Sequence, residues 1–294
     1  EPLTLLGGLA DCDYGHWCKE ILPGESFTSP KAVVAFGESL NKVCDMLVKA
    51  QNPAISPIDA DLPVIFNEYC TSWGNPTIDN LEKTAKKLQG SGIRYLVMDS
   101  GWYKEEGKNW WDTIGDWNVS KKLFPNGLKE VNDMIKSYGL VPGIWFEMEN
   151  VAPLAQIYNE TDHLLSRMGV PLNVAGHRFL DLRDKWCVDY LDEKVIKFLK
   201  DNGFGYIKVD YNSTSGPFVD GEDSPGENLR QHCEQVREFF KRMSDKIPGL
   251  IIENCASGGC RLEQSMMDVS QMSSGSDAHE GYEGPVIAAN LQYV

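Results

Sequence analysis

From Leu62 onward, the chain alternates short apolar runs with stretches in which apolar residues recur every three or four positions. The helical spacing is clear in TIDNLEKTAKKLQG and returns in the long stretch from Leu229 to Met243. The apolar runs predict seven strands, namely LPVIFNEY, GIRYLVMD, LVPGIWFE, HRFLDL, FGYIKVD, GLIIEN and VSQMSSGSD. Strands and helices that alternate in this way predict parallel βαβ units and a sheet covered on both faces.

Seven such units predict an α/β fold, a (β/α)8 TIM-type barrel over residues 61–294 that is incomplete at the C-terminus. The last stretch, GPVIAANLQYV, is expected to form the seventh helix. In residues 1–60, LPGESFTSPKAVVAF has the character of the end of an extended β segment, and a helix is expected around Leu40 to Ala50. We therefore expect a piece of a longer protein, cut at both ends. The alternative is a complete doubly wound α/β domain with its ligand at a topological switch point.

The excess of acidic residues indicates which kinds of partner the protein can bind. The chain has 28 Lys and Arg residues against 43 Asp and Glu residues, for a net charge of -15. This excess disfavours nucleic acid and anionic membranes and favours a neutral or cationic small ligand. No apolar run approaches the length of a membrane helix, and the first residues lack the pattern of a signal peptide. We expect a cytoplasmic protein, with a secreted form left open.

Cysteine and histidine usage gives no sign of a disulfide scaffold or a metal centre. The 8 cysteines are sparse and none has CxxC spacing, so reduced and mostly buried thiols are expected. The 5 histidines are scattered and form no HExxH-type pair. We predict neither a metal nor a cofactor.

Polar residues stand where the predicted strands end, and in a barrel these ends form the open face that carries function. In chain order they are Asn67, Glu68, Asp99, Glu147, Glu149, Asp181, Asp210, Asn254, Cys255 and Asp277. Six tryptophans are expected to rim the same face, namely Trp73, Trp102, Trp110, Trp111, Trp117 and Trp145. Because carboxylates bond hydroxyls and indole faces cover the C–H side of a sugar ring, the set predicts a carbohydrate site. Taken singly, each aspartate is equally explained as a helix cap and each tryptophan as core.

The run GYIKVDYN carries two charges on one face of a predicted buried strand. Lys208, Asp210 and Asn212 alternate with apolar residues and so point together. Burying such charges is costly unless they pair or act on a ligand. The alternative to an active site is that Lys208 and Asp210 simply pair in the polar layer of the barrel interior.

A retaining glycosidase needs one ionised and one protonated carboxyl group about 5 to 5.5 Å apart. Asp210 suits the ionised nucleophile because Lys208 points the same way and its positive charge favours the carboxylate form. Asp277 lies in a Gly/Ser loop with no cation beside it in sequence, so it suits the proton donor. Asp210 and Asp277 are therefore the predicted catalytic pair.

Seven ordered motifs carry a resemblance to a known family: MDSGWY, GDW, FPNGL, WFEMENV, YIKVDYN, ENCASGGCRLE and SGSDAHE. With these motifs in this order, the chain resembles from about Leu3 to Val294 the catalytic barrel of the α-galactosidases of glycoside hydrolase family 36, the melibiases. The resemblance implies a retaining enzyme that removes terminal α-linked galactose from oligosaccharides such as melibiose and raffinose by double displacement. It also implies that residues 1–60 are the end of an N-terminal β-sandwich domain and its linker. A homo-oligomer of the full-length protein is left open.

The resemblance also implies roles for single residues. It places the nucleophile at Asp210 and the acid/base at Asp277, and it gives sugar contacts to Lys208 and Asn212 of the Lys-x-Asp-x-Asn motif. The remaining substrate-binding residues that it implies are Asp99 before Gly-Trp, Trp145 on the third strand, and Cys255 and Arg261 of the Cys-x-Ser-Gly-Gly-x-Arg stretch.

The chain departs from the family's pattern around the sugar pocket. Ser100 stands where many members have a second aspartate, Glu263 replaces an aspartate, and SSGS replaces a tryptophan before the acid/base motif. These changes leave open an α-N-acetylgalactosaminidase on the same scaffold. A carbohydrate-binding protein on a dead hydrolase scaffold is the alternative from another class. A nucleotide-binding Rossmann-type protein needs a GxGxxG or P-loop segment, which the sequence lacks.

Overall fold

The computed structural model of the chain describes residues 10–51, 56–278, 281 and 283–291. Expectations that concern residues 1–9 and 52–55, or residues 279–280 at the end of the SGSDAHE motif, lie outside the described residues.

Six parallel strands form one curled sheet in chain order. They are β1 (Val64–Asn67), β2 (Ile93–Met98), β3 (Val141–Phe146), β4 (Tyr206–Val209), β5 (Ile251–Asn254) and β6 (Met272–Ser273). Each strand pairs in parallel with the next one along the chain. The expected α/β fold with a barrel-type parallel sheet is confirmed.

The predicted fourth strand, HRFLDL, is wrong for the described part of the chain. Arg178–Phe179 pairs antiparallel with Asn150–Val151 in a separate two-stranded sheet. Its place beside β3 is taken by β4, where Trp145 lies opposite Lys208. The described sheet therefore has six strands and not seven, and GYIKVDYN supplies the fourth. Alternating apolar residues predict a strand, but they do not identify its partner.

Residues 147–184, between β3 and α5 (Lys185–Leu191), contain only short elements, and we call this segment the excursion after β3. Besides the pair just described, Ser166–Arg167 pairs antiparallel with Val170–Pro171. Within it, short 3-10 turns occupy Gln156–Asn159 and Thr161–His163. Two further 3-10 turns lie earlier in the chain, Pro57–Asp59 before β1 and Trp111–Thr113 after β2.

The longer helices lie where the sequence predicted them, whereas three four-residue helices, Tyr69–Ser72, Ala256–Gly259 and Gln264–Met267, were not predicted. In chain order the helices are α1 (Leu40–Ala50), α2 (Tyr69–Ser72), α3 (Ile78–Leu88), α4 (Leu128–Ser137), α5 (Lys185–Leu191), α6 (Phe198–Asn202), α7 (Pro225–Lys246), the single turn α8 (Ala256–Gly259), α9 (Gln264–Met267) and α10 (Glu283–Leu291). A π-helical stretch, Asp192–Lys197, joins α5 to α6. Thr77 and Ser224 cap α3 and α7, because each side chain accepts a hydrogen bond from a backbone N–H in the first turn.

Alternate side chains of β4 point to opposite faces of the sheet. Ile207 and Val209 belong to the main core between sheet and helices, together with apolar residues of α3, α4 and α7. Tyr206 packs with Tyr95 in a small cluster on the inner side of the curled sheet. Lys208 has the same parity as Tyr206, so it also points into the interior, as the period of two predicts.

The described part of the N-terminal region contains the expected helix α1, but residues 23–37 form no strand. The segment before them is tied to the start of α7, since the Trp17 indole N–H donates to Glu227 Oε2 at 2.8 Å and Cys18 bonds Ser224 through its backbone. Its assignment to a β-sandwich domain, with a boundary at residue 60, stays a prediction. In the ranges that the structure describes, no helix has the length and apolar character needed to cross a membrane.

Candidate active site

A cavity of about 640 Å³ opens at the carboxyl ends of the strands. Six of the eight predicted site residues line it: Asp99, Trp145, Lys208, Asp210, Asn212 and Asp277. These residues come from the ends of β2, β3, β4 and β6, so the parallel sheet brings together side chains that are far apart in sequence.

Asp210 is held by four donors at the end of β4. Its Oδ1 accepts hydrogen bonds from the backbone N–H groups of Ser257 at 2.7 Å and Tyr211 at 2.9 Å. Its Oδ2 accepts from Asn212 Nδ2 at 2.8 Å and from the Trp145 indole N–H at 3.1 Å. Burial alone would raise the pKa of Asp210, but the Lys208 charge and these donors outweigh it, so the pKa is lowered. The Asp210 carboxyl group is therefore kept ionised.

Lys208 forms its ion pair with Asp99 and not with Asp210. Its Nζ lies 3.0 Å from Asp99 Oδ2, which also accepts from Asn67 Nδ2 at 2.6 Å. Burial would lower the pKa of Lys208, but Asp99 and the other acidic groups around it raise the pKa well above its ordinary value. The alternative reading, in which Lys208 and Asp210 pair with one another, is therefore not the observed arrangement. Lys208 acts on Asp210 through its charge.

Asp277 lies across the cavity in the loop after β6. Its side chain is exposed on the solvent side, but the cavity wall withdraws enough water to raise the pKa of its carboxyl group. Lys208 opposes this rise, and the negative charge of Asp210 adds to it. The pKa values of the two carboxyl groups are thus shifted in opposite directions, as an acid and a nucleophile require.

The separation of the two carboxyl groups is short. One oxygen of Asp210, one oxygen of Asp277 and Cys255 Sγ all lie within 4.8 Å of one another. Retaining glycosidases place their carboxyl groups about 5 to 5.5 Å apart and inverting ones about 6.5 to 9.5 Å apart. The same three atoms form the metal-ligating group found among the described residues, but the nearby Lys208 ammonium disfavours a cation there.

Cys255 lies buried beneath Asp277. Its Sγ is 3.6 Å from Asp277 Oδ1, and burial raises the pKa of the thiol well above its ordinary value, so it is neutral. The neutral thiol donates a hydrogen bond to the Asp277 carboxyl group from below the cavity surface.

Arg261 lies apart from the other predicted site residues. Its guanidinium makes two hydrogen bonds to Glu149, at 2.6 and 3.0 Å, and lies 3.6 Å from the centre of the Tyr211 ring. It is not part of the cavity wall, where the resemblance placed it as a sugar ligand. Glu149 takes two of its five N–H donors, and the Tyr211 ring covers its flat side. In this structure Arg261 therefore braces the turn that follows β5.

The sequence predicts a tight turn here, α8, but sequence reasoning did not predict its role in the site. Ala256 and Ser257 have positive φ values of 47° and 56°, a conformation that points the Ser257 N–H at Asp210. A Cβ atom on Gly258 would lie 2.2 Å from the backbone N of Asp277, so only glycine allows this approach. The Gly-Gly pair in ENCASGGCRLE indicates a tight turn, but it does not say which carboxylate the turn serves.

The aromatic rim is smaller than expected. Trp110, Trp111 and Trp145 line the cavity, whereas Trp102 and Trp117 are buried in the main core. Trp73 is exposed and packs edge-on against Tyr69. Tryptophan at a strand end is common to rims and cores, so the sequence could not separate the two groups.

Four of the predicted mouth carboxylates make internal contacts instead, and the first of them, Glu68, accepts the Asp99 backbone N–H at 3.2 Å. Glu149 pairs with Arg261, Asp181 with Arg183 at 2.6 Å, and Glu147 accepts the Asn212 backbone N–H at 2.7 Å. Conversely, sequence reasoning gave no role in a sugar site to Tyr69, Cys70 or Glu253, which line the cavity.

A curled parallel sheet with two opposed carboxyl groups over a tryptophan-lined cavity is an arrangement that glycoside-hydrolase barrels use. The family described as Melibiase matches residues 26–293. This chain belongs to that family.

Curated relatives and solved structures agree with this family. The chain is 26% identical over 250 residues to alpha-galactosidase Mel36A of Lactobacillus acidophilus, a match that covers 82% of this chain and 34% of the relative. The chain thus spans about a third of the length of the curated relatives it matches.

Among solved structures, the family 36 alpha-galactosidase AgaA of Geobacillus stearothermophilus superposes with a TM-score of 0.78 at 21% identity, over 87% of this chain and 36% of that one. A variant of AgaA solved in complex with raffinose gives a TM-score of 0.76 at 21% identity, with the same coverage of 87% and 36%. These similarities confirm the barrel-type fold.

Proposed function

We propose that this chain carries the catalytic site of a retaining α-galactosidase, which releases terminal α-linked galactose from oligosaccharides such as melibiose and raffinose. The observation that carries the proposal is the carboxyl pair. Asp210 and Asp277 approach within 4.8 Å, and their pKa values are shifted down and up respectively. The alpha-galactosidase names of the relatives and the raffinose complex of one neighbour support the substrate class.

In the first step, Asp210 attacks the anomeric carbon as that carbon's bond to the leaving oxygen breaks, and Asp277 gives its proton to that oxygen. The product is a galactosyl ester on Asp210. In the second step, Asp277 removes a proton from water, which attacks the same carbon and releases Asp210 as a carboxylate. Two inversions leave the configuration of the galactose unchanged.

The remaining cavity residues hold the sugar. Asp99 keeps free acceptor capacity beside its bonds to Lys208 and Asn67, so it suits the distal hydroxyls. Lys208 offers further N–H donors, and Trp110 and Trp145 offer apolar surface for the ring's C–H side. No nucleic acid or membrane takes part in this function. The oligomeric state and the location in the cell stay predictions.

A second candidate, α-N-acetylgalactosaminidase, is favoured by the small side chains of Ser274, Ser276 and Ala278. They line the cavity on the side of Asp277 and leave room for a group larger than a hydroxyl. The dead-scaffold alternative is disfavoured by the intact carboxyl pair.

The decisive experiment assays the full-length protein on matched nitrophenyl α-galactoside and α-N-acetylgalactosaminide. We expect a higher kcat/KM on the galactoside and a first product with retained configuration by NMR. A higher kcat/KM on the acetamido sugar selects the second candidate. An absence of turnover on both would leave the dead scaffold.

A further inference from the structure

Glu147 is a buried carboxyl group that the proposed reaction does not use. It follows β3 and is fully shielded from solvent. Its Oε1 accepts hydrogen bonds from the Asn212 backbone N–H at 2.7 Å and from Asn150 Nδ2, and its Oε2 accepts from Asn212 Nδ2 at 2.7 Å. The Glu147 carboxyl group thus accepts three hydrogen bonds, and two of the three donors belong to Asn212.

The Asn212 amide group is shared between two carboxyl groups. Its Nδ2 donates to Glu147 Oε2 at 2.7 Å and to Asp210 Oδ2 at 2.8 Å. A side-chain amide has two N–H donors, so both are used. Among the described residues, no donor bonds the amide oxygen, and Asn212 lines the cavity. Asn212 therefore meets a ligand as an acceptor only.

We propose that Glu147 is a positioning residue for the nucleophile: it fixes the orientation of Asn212, and Asn212 in turn fixes Asp210 and turns its amide oxygen toward the substrate. This inference rests on the proposed function. Without an acceptor at Oε2, the Asn212 amide is free to rotate, and Asp210 then loses one of its two side-chain donors.

The ionisation of Glu147 is consistent with this role. Burial and then the negative charge of Asp210 raise the pKa of Glu147 to about 7. The buried Tyr103 is a further titratable group near it, whereas Asn150 and Asn212 are neutral. In acid Glu147 is thus uncharged but still able to accept a hydrogen bond. Gln keeps one accepting oxygen, which the two donors at the Oε1 position favour there. Its nitrogen then faces Asn212 Nδ2 and accepts no hydrogen bond, so Glu147→Gln tests the acceptor at Oε2.

The test uses Glu147→Gln in the full-length protein. The matched control is Glu227→Gln, which removes another buried carboxylate, one that binds Trp17 and Arg230 outside the cavity. The substrate is a dinitrophenyl α-galactoside, whose leaving group needs no proton, so kcat/KM reports attack by Asp210. Active sites are counted by trapping with a 5-fluoro galactosyl fluoride, in which Asp210 displaces fluoride, and by the intact mass of the ester.

We expect kcat/KM per trapped site to fall about 10- to 100-fold in Glu147→Gln, mostly through kcat. The acidic limb of its pH profile should move to higher pH, because Asp210 loses a donor that stabilises its charged form. Glu227→Gln should lose stability and keep both the rate per site and the pH profile.

Asn212→Ala supplies a second test that does not depend on Glu147→Gln being folded, and it should show the same shift of the acidic limb. In the double variant the two effects should not add, because both act through one hydrogen bond. Wild-type kinetics in Glu147→Gln, or full additivity with Asn212→Ala, would overturn the inference. If the wild-type protein does not turn over the galactoside, it is the proposed function that fails.

Discussion

The carboxyl end of β4 and the loop after β6 hold their carboxylates in opposite ways. Asp210 follows a buried strand and accepts four hydrogen bonds, two from backbone and two from side chains. Asp277 stands on an exposed loop, and within the described part of the chain its side chain receives one hydrogen bond, from the Cys255 thiol. A fixed, ionised group suits attack on carbon. A loosely held group with a raised pKa suits a residue that must give up a proton and take it back.

Among the tests of this contrast, Asp210→Asn should have the largest effect. The change removes the nucleophile, so we expect a loss of several orders of magnitude in kcat on every galactoside, whatever the leaving group. The measurement is steady-state turnover together with a thermal melt to confirm folding. Turnover within tenfold of wild type would remove Asp210 from its role.

Asp277→Ala should have a smaller effect that depends on the substrate. On raffinose, which has a poor leaving group, we expect a loss of about 10²- to 10⁴-fold. On a dinitrophenyl galactoside the first step needs no acid, and added azide should replace the water that Asp277 activates and restore turnover. If Asp277→Ala loses equal rate on both substrates, Asp277 is not the proton donor.

Gly258→Ala probes the junction between the two regions. Its φ is 74° and the new Cβ would lie 2.2 Å from Asp277 N, so the loop after β6 must move. We expect about 1 to 3 kcal/mol of lost stability and a greater rate loss on raffinose than on the dinitrophenyl substrate. Ser257→Gly is the control, because it relieves a positive φ and keeps the backbone N–H that bonds Asp210. Equal losses on both substrates would mean that the turn serves Asp210 more than Asp277.

The last test concerns stability in acid and not turnover. Burial would raise the pKa of Glu149, but Arg261 and then His232 lower it to about 2. Because this folded pKa is below the value of about 4.3 for an unfolded chain, the ionised group stabilises the fold above pH 4.3. That contribution, on the order of 3 kcal/mol, is lost as the pH falls from about 4 toward 2. Urea unfolding from pH 6 to 2 should show a steeper decline in wild type than in Glu149→Gln. If the free energy of unfolding falls equally with pH in both proteins, Glu149 does not make this contribution.

Much of the site was predictable because strand ends share one edge of a parallel sheet. Asp99, Lys208, Asp210 and Asn212 were placed by period and motif alone, and all four line the cavity. The contacts of Arg261 and of HRFLDL could not be predicted from the sequence, for a common reason. Each satisfies its hydrogen bonds with a partner from the excursion after β3, Glu149 for Arg261 and Asn150–Val151 for the strand. The sequence contains both partners but not their proximity.

The sequence by itself determined the alternating strands and helices, the inward face of GYIKVDYN and the two carboxyl groups of the pair, because these depend on local spacing and on side-chain chemistry. Only the tertiary structure decided that Lys208 pairs with Asp99, that Ser257 and Asn212 hold Asp210, and that Arg261 stays out of the cavity. These outcomes depend on which charges and donors come within hydrogen-bond distance once the strands are side by side. Such distances are properties of the folded chain and not of any stretch of it.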